Sequence, residues 1–213
     1  MRTDELIDQL AGGLRPVADG APPRRLAVLA AGGAGLALVL VLAWLKLRPD
    51  LAQAVTGPMF WIKAGYMAAL GVAGFWACER LARPEGRAGK ALIFGGAVLA
   101  LFVAIAVGQV ILASPDQRMS LILGHSITHC LRNILVLGLP TTFAGLLVLR
   151  RMAPTRPMLA GFAAGVFAGG VAATVYGLHC AENTMTFLGL WYSLGVLACA
   201  AIGAVVGRWL LRW

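Results

Sequence analysis

The sequence predicts an all-α, polytopic membrane protein with six transmembrane helices and both termini in the cytoplasm. Three observations predict it. Of the 213 residues, 60% are hydrophobic and only 13% are charged, against roughly 45–50% apolar and about 25% charged in an average soluble domain. The apolar residues collect into runs of the length that crosses a bilayer core, about 20 residues. The 18 Lys and Arg fall mainly in alternate connecting loops. A mean hydropathy of +0.82 excludes a disordered chain. Polar residues this few cannot cover a soluble globule. The formal charge of +9 would point to nucleic acid in a soluble domain. Here it reads as loop charge beside a lipid bilayer, with no direct nucleic-acid partner expected.

Two units follow: a cytoplasmic tail, 1–25, and a transmembrane domain, 26–213. In the tail, Thr3 can cap a helix, and Asp4 and Glu5 suit its first turn. Leu6, Ile7, Leu10 and Leu14 form one apolar stripe. Gly12-Gly13 weakens the helix and Pro16 ends it. So short a helix is unstable alone and needs a surface to fold against. Its acidic residues disfavour anionic lipid, which leaves a protein groove as the favoured surface. Thr3, Asp4, Glu5, Leu6, Ile7, Leu10 and Leu14 are therefore the candidate partner-binding residues.

The expected spans are 26–45, 58–78, 91–113, 120–149, 158–178 and 186–207. The fourth is too long for one simple crossing. Its first turns carry His125, His129 and Arg132 and belong at an interface, and Pro140 predicts a kink. A cytoplasmic N-terminus places 13 of the 18 basic residues inside: Arg2, Arg15, Arg24 and Arg25; Arg80, Arg83, Arg87 and Lys90; Arg150, Arg151 and Arg156; Arg208 and Arg212. Lys46, Arg48, Lys63, Arg118 and Arg132 stay outside. Arg24-Arg25 superficially resembles a twin-arginine export signal, but five further spans favour a plain inner-face anchor. Gly161, Gly165 and Gly169, like Gly203 and Gly207, recur every four residues, a spacing that lets helices approach closely in lipid.

Reactive side chains cluster. Cys78 and Cys199 lie in apolar spans and read as small hydrophobes. Cys130 sits in 124–130 with His125 and His129; Cys180 follows His179 in 178–182. Spans four and five join through a short turn near 152–157. Cys130 lies 19 residues before Leu149 and Cys180 lies 22 after Met158. At about 1.5 Å per residue, both rise roughly 28 and 33 Å above that turn, to one level on the outer face. Two chemistries fit: a reversible disulfide, or transient soft-metal binding by the thiolates assisted by His129, His179 or His125. A neighbouring imidazole favours the reactive thiolate. No resident cofactor is expected. Lys63, near a span end, is expected to snorkel to the interface. No span carries the buried carboxylates of an ion relay, and no phosphate loop or Ser–His–Asp arrangement is present.

The opening Met1-Arg2-Thr3-Asp4-Glu5-Leu6-Ile7, then Ala153-Pro154-Thr155-Arg156-Pro157 with Ala160-Gly161, Tyr176 with Leu178-His179-Cys180, Trp191-Tyr192, and the closing Leu210-Leu211-Arg212-Trp213 carry a family likeness. In these the chain resembles the NrsF-like family of membrane-bound anti-sigma factors, negative regulators of extracytoplasmic-function sigma factors of the sigma-F type in proteobacteria. The likeness covers nearly the whole chain, most specifically its second half. It implies six spans and a short N-terminal segment that holds the sigma factor at the bacterial inner membrane. It also implies paired cysteines, matching Cys130 and Cys180, that sense heavy-metal or oxidative stress. Ile127 and Ala181 depart from the family's pattern, and the likeness does not extend to His125 and His129. The expected function is thus a non-enzymatic anti-sigma factor that releases its partner on a signal at Cys130 and Cys180. Two other classes place thiols similarly. A membrane thiol–disulfide or quinone oxidoreductase would need a second exchanging pair, and Cys78 and Cys199 lie too far inward. A metal transporter would need polar groups along a path through the membrane, and this chain has them mainly at one end.

Overall fold

The computed structural model describes residues 3–12, 21–83, 85–124 and 126–212. Among these the regular structure is helical throughout. The helices are α1 (Thr3–Gly12), α2 (Ala21–Leu40, extended by a π turn to Leu45), α3 (Leu51–Ala54), α4 (Pro58–Leu81), α5 (Gly89–Leu112), α6 (Pro115–Leu123), α7 (Ile127–Arg150), α8 (Pro157–Tyr176), α9 (Met185–Phe187) and α10 (Ser193–Leu210), the last two joined by a second π turn. Pro58, Pro115 and Pro157 open their helices at the first turn, where a missing N–H costs nothing.

Among the described residues, five segments are long and apolar enough to cross a membrane: Arg24–Leu45, Gly89–Leu112, His129–Arg150, Pro157–Tyr176 and Met185–Leu210. The expected second span, 58–78, forms the helix α4, 24 residues long, which stands outside that set. Lys63, Glu79, Arg80 and several small residues lower its hydropathy. A helix covered by its neighbours does not need a fully apolar surface, and α4 buries Lys63, Tyr66, Met67, Leu70 and Cys78. The over-long fourth stretch resolves into α6 and α7. The break falls at Gly124, whose φ of +56° suits a residue without Cβ. Pro140 lies inside α7 without ending it.

Helix α8 runs at the centre, against α4, α7 and α10. Lipid offers little hydrophobic drive between helices, so close backbone approach has to supply the packing. The glycine spacing does this. A Cβ on Gly161 would run into Gly203 of α10, one on Gly165 into Cys199 and Ala200, and one on Gly170 into Gly71 of α4. Two buried clusters sit at opposite ends of the bundle. One gathers Leu26, Cys78, Leu81, Leu146, Leu149 and Leu211. The other gathers Val41, Tyr66, Cys130, Ile134, Tyr176, Cys180, Phe187 and Tyr192.

Candidate thiol site

Cys130 lies in the first turn of α7, and Cys180 in the connection between α8 and α9. Both belong to the second cluster, so the hairpin of α7 and α8 raises them to one level, as their spacing predicts. All four cysteines are buried and free thiols. Ser126 Oγ stands 3.9 Å from Cys180 Sγ and donates to Glu182 Oε1 at 3.3 Å. A cleft of about 430 Å³ opens beside Cys180, lined by Ser126, His129, Arg132, Asn133, His179 and Cys180 among others. Asn133 is buried, and among the described residues its Oδ1 finds no hydrogen-bond donor.

The histidines divide. His129 is exposed at the cleft, while His179 Nδ1 is 2.8 Å from the Lys46 carbonyl and so is committed to the backbone through that nitrogen. His125 lies outside the described residues. Among those described, no three His, Cys, Asp or Glu side chains converge as a metal-holding group. The residues that do converge are two thiols with imidazoles at their margin, a set suited to thiol oxidation or to capture of a thiophilic ion.

Lys63 is a correction. It does not snorkel; it is 2% exposed. Its Nζ donates to the Cys180 carbonyl at 2.8 Å and to the Glu182 carbonyl at 3.0 Å, and stands 5.4 Å from the Tyr192 ring centroid. The reason is local. Where α8 ends, main-chain carbonyls lose their helical donors, and a cation at a helix C-terminus meets that need. Arg48, expected simply as an outer-loop charge, is also buried. Its backbone N–H donates to the Leu178 carbonyl at 3.1 Å, and its Nη1 reaches the Cys180 carbonyl at 3.5 Å. Its Nε and Nη2 clasp the Asp50 carboxylate at 2.7 and 2.6 Å. The hydrogen bond from Arg48 holds the Asp50 carboxyl below the usual carboxylate range. Sequence reasoning read Lys63 as snorkelling and Arg48 as a loop charge, and assigned neither to the site. For Lys63 the available signal was its place six positions into an apolar helix, which by default marks a functional position.

In the tail, α1 spans Thr3–Gly12, so Thr3 lies within the helix. Asp4 and Glu5 occupy the first turn. Leu6 and Ile7 are exposed, at 42% and 56%. Leu14 and the side chain of Leu10 lie outside the described residues.

A family model described as "Negative regulator of sigma F" matches residues 10–213. The chain belongs to the NrsF family. The anti-sigma-F factor NrsF of Caulobacter vibrioides (strain NA1000 / CB15N) is 56% identical, with the whole of both chains covered. The probable anti-sigma-F factor NrsF of Azospira oryzae (strain ATCC BAA-33 / DSM 13638 / PS) is 41% identical, again over the whole of both. No solved structure matches the chain. In this NrsF-family chain, then, the thiol cluster lies at one end of the bundle and the root of the N-terminal segment, Leu26, at the other.

Proposed function

We propose that the chain is a membrane-anchored anti-sigma-F factor. It sequesters an extracytoplasmic-function sigma factor of the sigma-F type through α1 and releases it when Cys130 and Cys180 meet an oxidant or a thiophilic metal. The observation that carries this reading is identity of 56% to an anti-sigma-F factor over both full chains. Six membrane crossings, α4 among them, bring both termini to the cytoplasmic side of the bacterial inner membrane, in accord with the Lys and Arg bias. The exposed Leu6 and Ile7 on an acidic helix offer an apolar face to a protein groove.

The chemistry at the thiols is simple. Two thiols give up two protons, and two electrons pass to the oxidant as the S–S bond forms. Alternatively, both lose protons and bind one soft metal ion. Either state must favour one packing of the bundle over the other, since a signal shifts an equilibrium only by its differential affinity for the two states. Membranes containing the full chain should retain a sigma-F-type factor and release it on treatment with a thiol oxidant or a thiophilic metal ion. Failure to retain the factor, or retention indifferent to both, overturns the proposal.

A further inference from the structure

The connection between α8 and α9, residues 177–184, carries Cys180 and Glu182; its first N–H groups still donate back to α8, but among the described residues no helical donor reaches the carbonyls of Leu178, Cys180 or Glu182. Its carbonyls therefore need donors from elsewhere. They receive them from two other parts of the chain. Lys63 of α4 donates to the carbonyls of Cys180 and Glu182. Arg48, in the connection between α2 and α3, engages those of Leu178 and Cys180. The Cys180 carbonyl accepts from both cations. Both cations are buried, and Arg48 is in turn braced by Asp50. Cys180 cannot shift its main chain without breaking bonds that charge and burial make strong.

We propose that Lys63 and Arg48 form a latch that holds the Cys180 loop in its resting position and passes the loop's displacement to α4. The inference rests on the thiol-sensing reading above, whose regulation it specifies. A disulfide requires Cα atoms about 4.4–6.8 Å apart, and a chelate fixes its sulfurs as strictly. Either product redirects Cys180, and its carbonyl follows at one residue's remove. Helix α4 then feels the change at Lys63. It is seated against α8 at backbone distance, Gly71 on Gly170 and Gly74 on Phe167. Its far end, Ala77, Cys78 and Leu81, shares a buried cluster with Leu26, where α2 leaves the N-terminal segment. Helix α4 thus touches both the thiol loop and the root of the tail. Lys63 and Arg48 are positioning residues, since neither performs the thiol chemistry.

The test uses the full chain in native membranes. Lys63→Met keeps an apolar stem of similar length and removes the donors; Lys63→Arg keeps a cationic donor. In a background with Cys180 as the single cysteine, alkylation of Cys180 by a membrane-permeant maleimide should run about tenfold faster in Lys63→Met, the scale of losing hydrogen bonds to a charged group. It should stay near the parent rate in Lys63→Arg. With all four cysteines present, Lys63→Met should raise the uninduced output of a sigma-dependent reporter. The rise should persist when Cys130→Ser and Cys180→Ser are added, because the latch acts after the thiols. Arg48→Met, in a loop, should act in the same direction and decides the matter if Lys63→Met does not accumulate. Unchanged alkylation and unchanged uninduced output in both Met variants would overturn the latch. A latch that behaves as expected, in a chain whose double Cys→Ser form still answers oxidant, would leave the latch standing and overturn thiol sensing.

Discussion

Cys180 shows how much one residue's setting depends on atoms far along the chain: its sulfur lies near Ser126, and its carbonyl is held by Lys63 and Arg48. If it acts as one unit with Cys130, loss of either thiol should abolish the response about as fully as loss of both. Strong non-additivity is expected of residues in contact or in one network. A sigma-dependent reporter in single and double Cys→Ser variants, with and without oxidant, measures this; two partial, additive losses would show independent action. Cys199→Ser should leave signalling intact, since Cys199 packs away from the cleft, against Gly138. The Arg48–Asp50 pair adds a pH expectation. A carboxyl lowered by its partner stabilises the fold above its ordinary range, near 4, and that contribution disappears as pH falls through the lowered value. After correction for intrinsic exchange, protection of the Arg48 amide should therefore be level from pH 8 to 5 and fall only in stronger acid. The cysteines and histidines were legible in sequence because they cluster in two short stretches. Lys63 and Arg48 were not, because their meaning lies in carbonyls 117 and 132 residues away.

Helices differ in how openly the sequence declares them. The apolar runs placed α2, α5, α8 and α10 directly, since each lies almost wholly within one uninterrupted apolar run. The 120–149 stretch announced that it was too long and that its first turns belong at an interface, but not where it breaks; the break at Gly124 depends on a positive φ that no hydropathy pattern encodes. Helix α4 was legible as an element, but its burial was not, because the neighbours that cover it come from distant sequence. Two element-scale predictions follow from packing. Replacing Leu6 and Leu10 with Asp puts charge on the proposed binding face of α1 and should release the sigma factor in a membrane pull-down while insertion is unchanged; continued retention would remove α1 as the binding site. Gly165→Val forces side-chain atoms into the α10 backbone at Cys199 and Ala200. Overpacking typically costs about 1–3 kcal/mol, and more is expected where backbone must move. The variant should lose its folded form in detergent at a clearly lower temperature than Val107→Ala, a change at an exposed position on α5.

Taken whole, the molecule has a polar, thiol-bearing end and an end where basic loops gather, and its orientation is open to direct test. A reporter active only in the cytoplasm should work when fused after Trp213 or within 83–89, and fail near Asp116 or Glu182. The reverse pattern would turn the thiols inward and remove the case for an external signal. The even height of Cys130 and Cys180 was readable from helix rise alone, whereas the choice of which helices cover which required the assembled bundle. That covering is unequal. Helix α5 buries only Ala91 and Ala106, while α8 buries most of its length behind alanine and glycine. The two helices should therefore tolerate random substitution very differently. In a saturation library selected for sigma retention, the exposed positions of α5 should accept almost any apolar replacement, while Gly161, Gly165 and Gly170 admit none, so that the tightest packing constraint on this bundle falls on residues with the least side chain to vary.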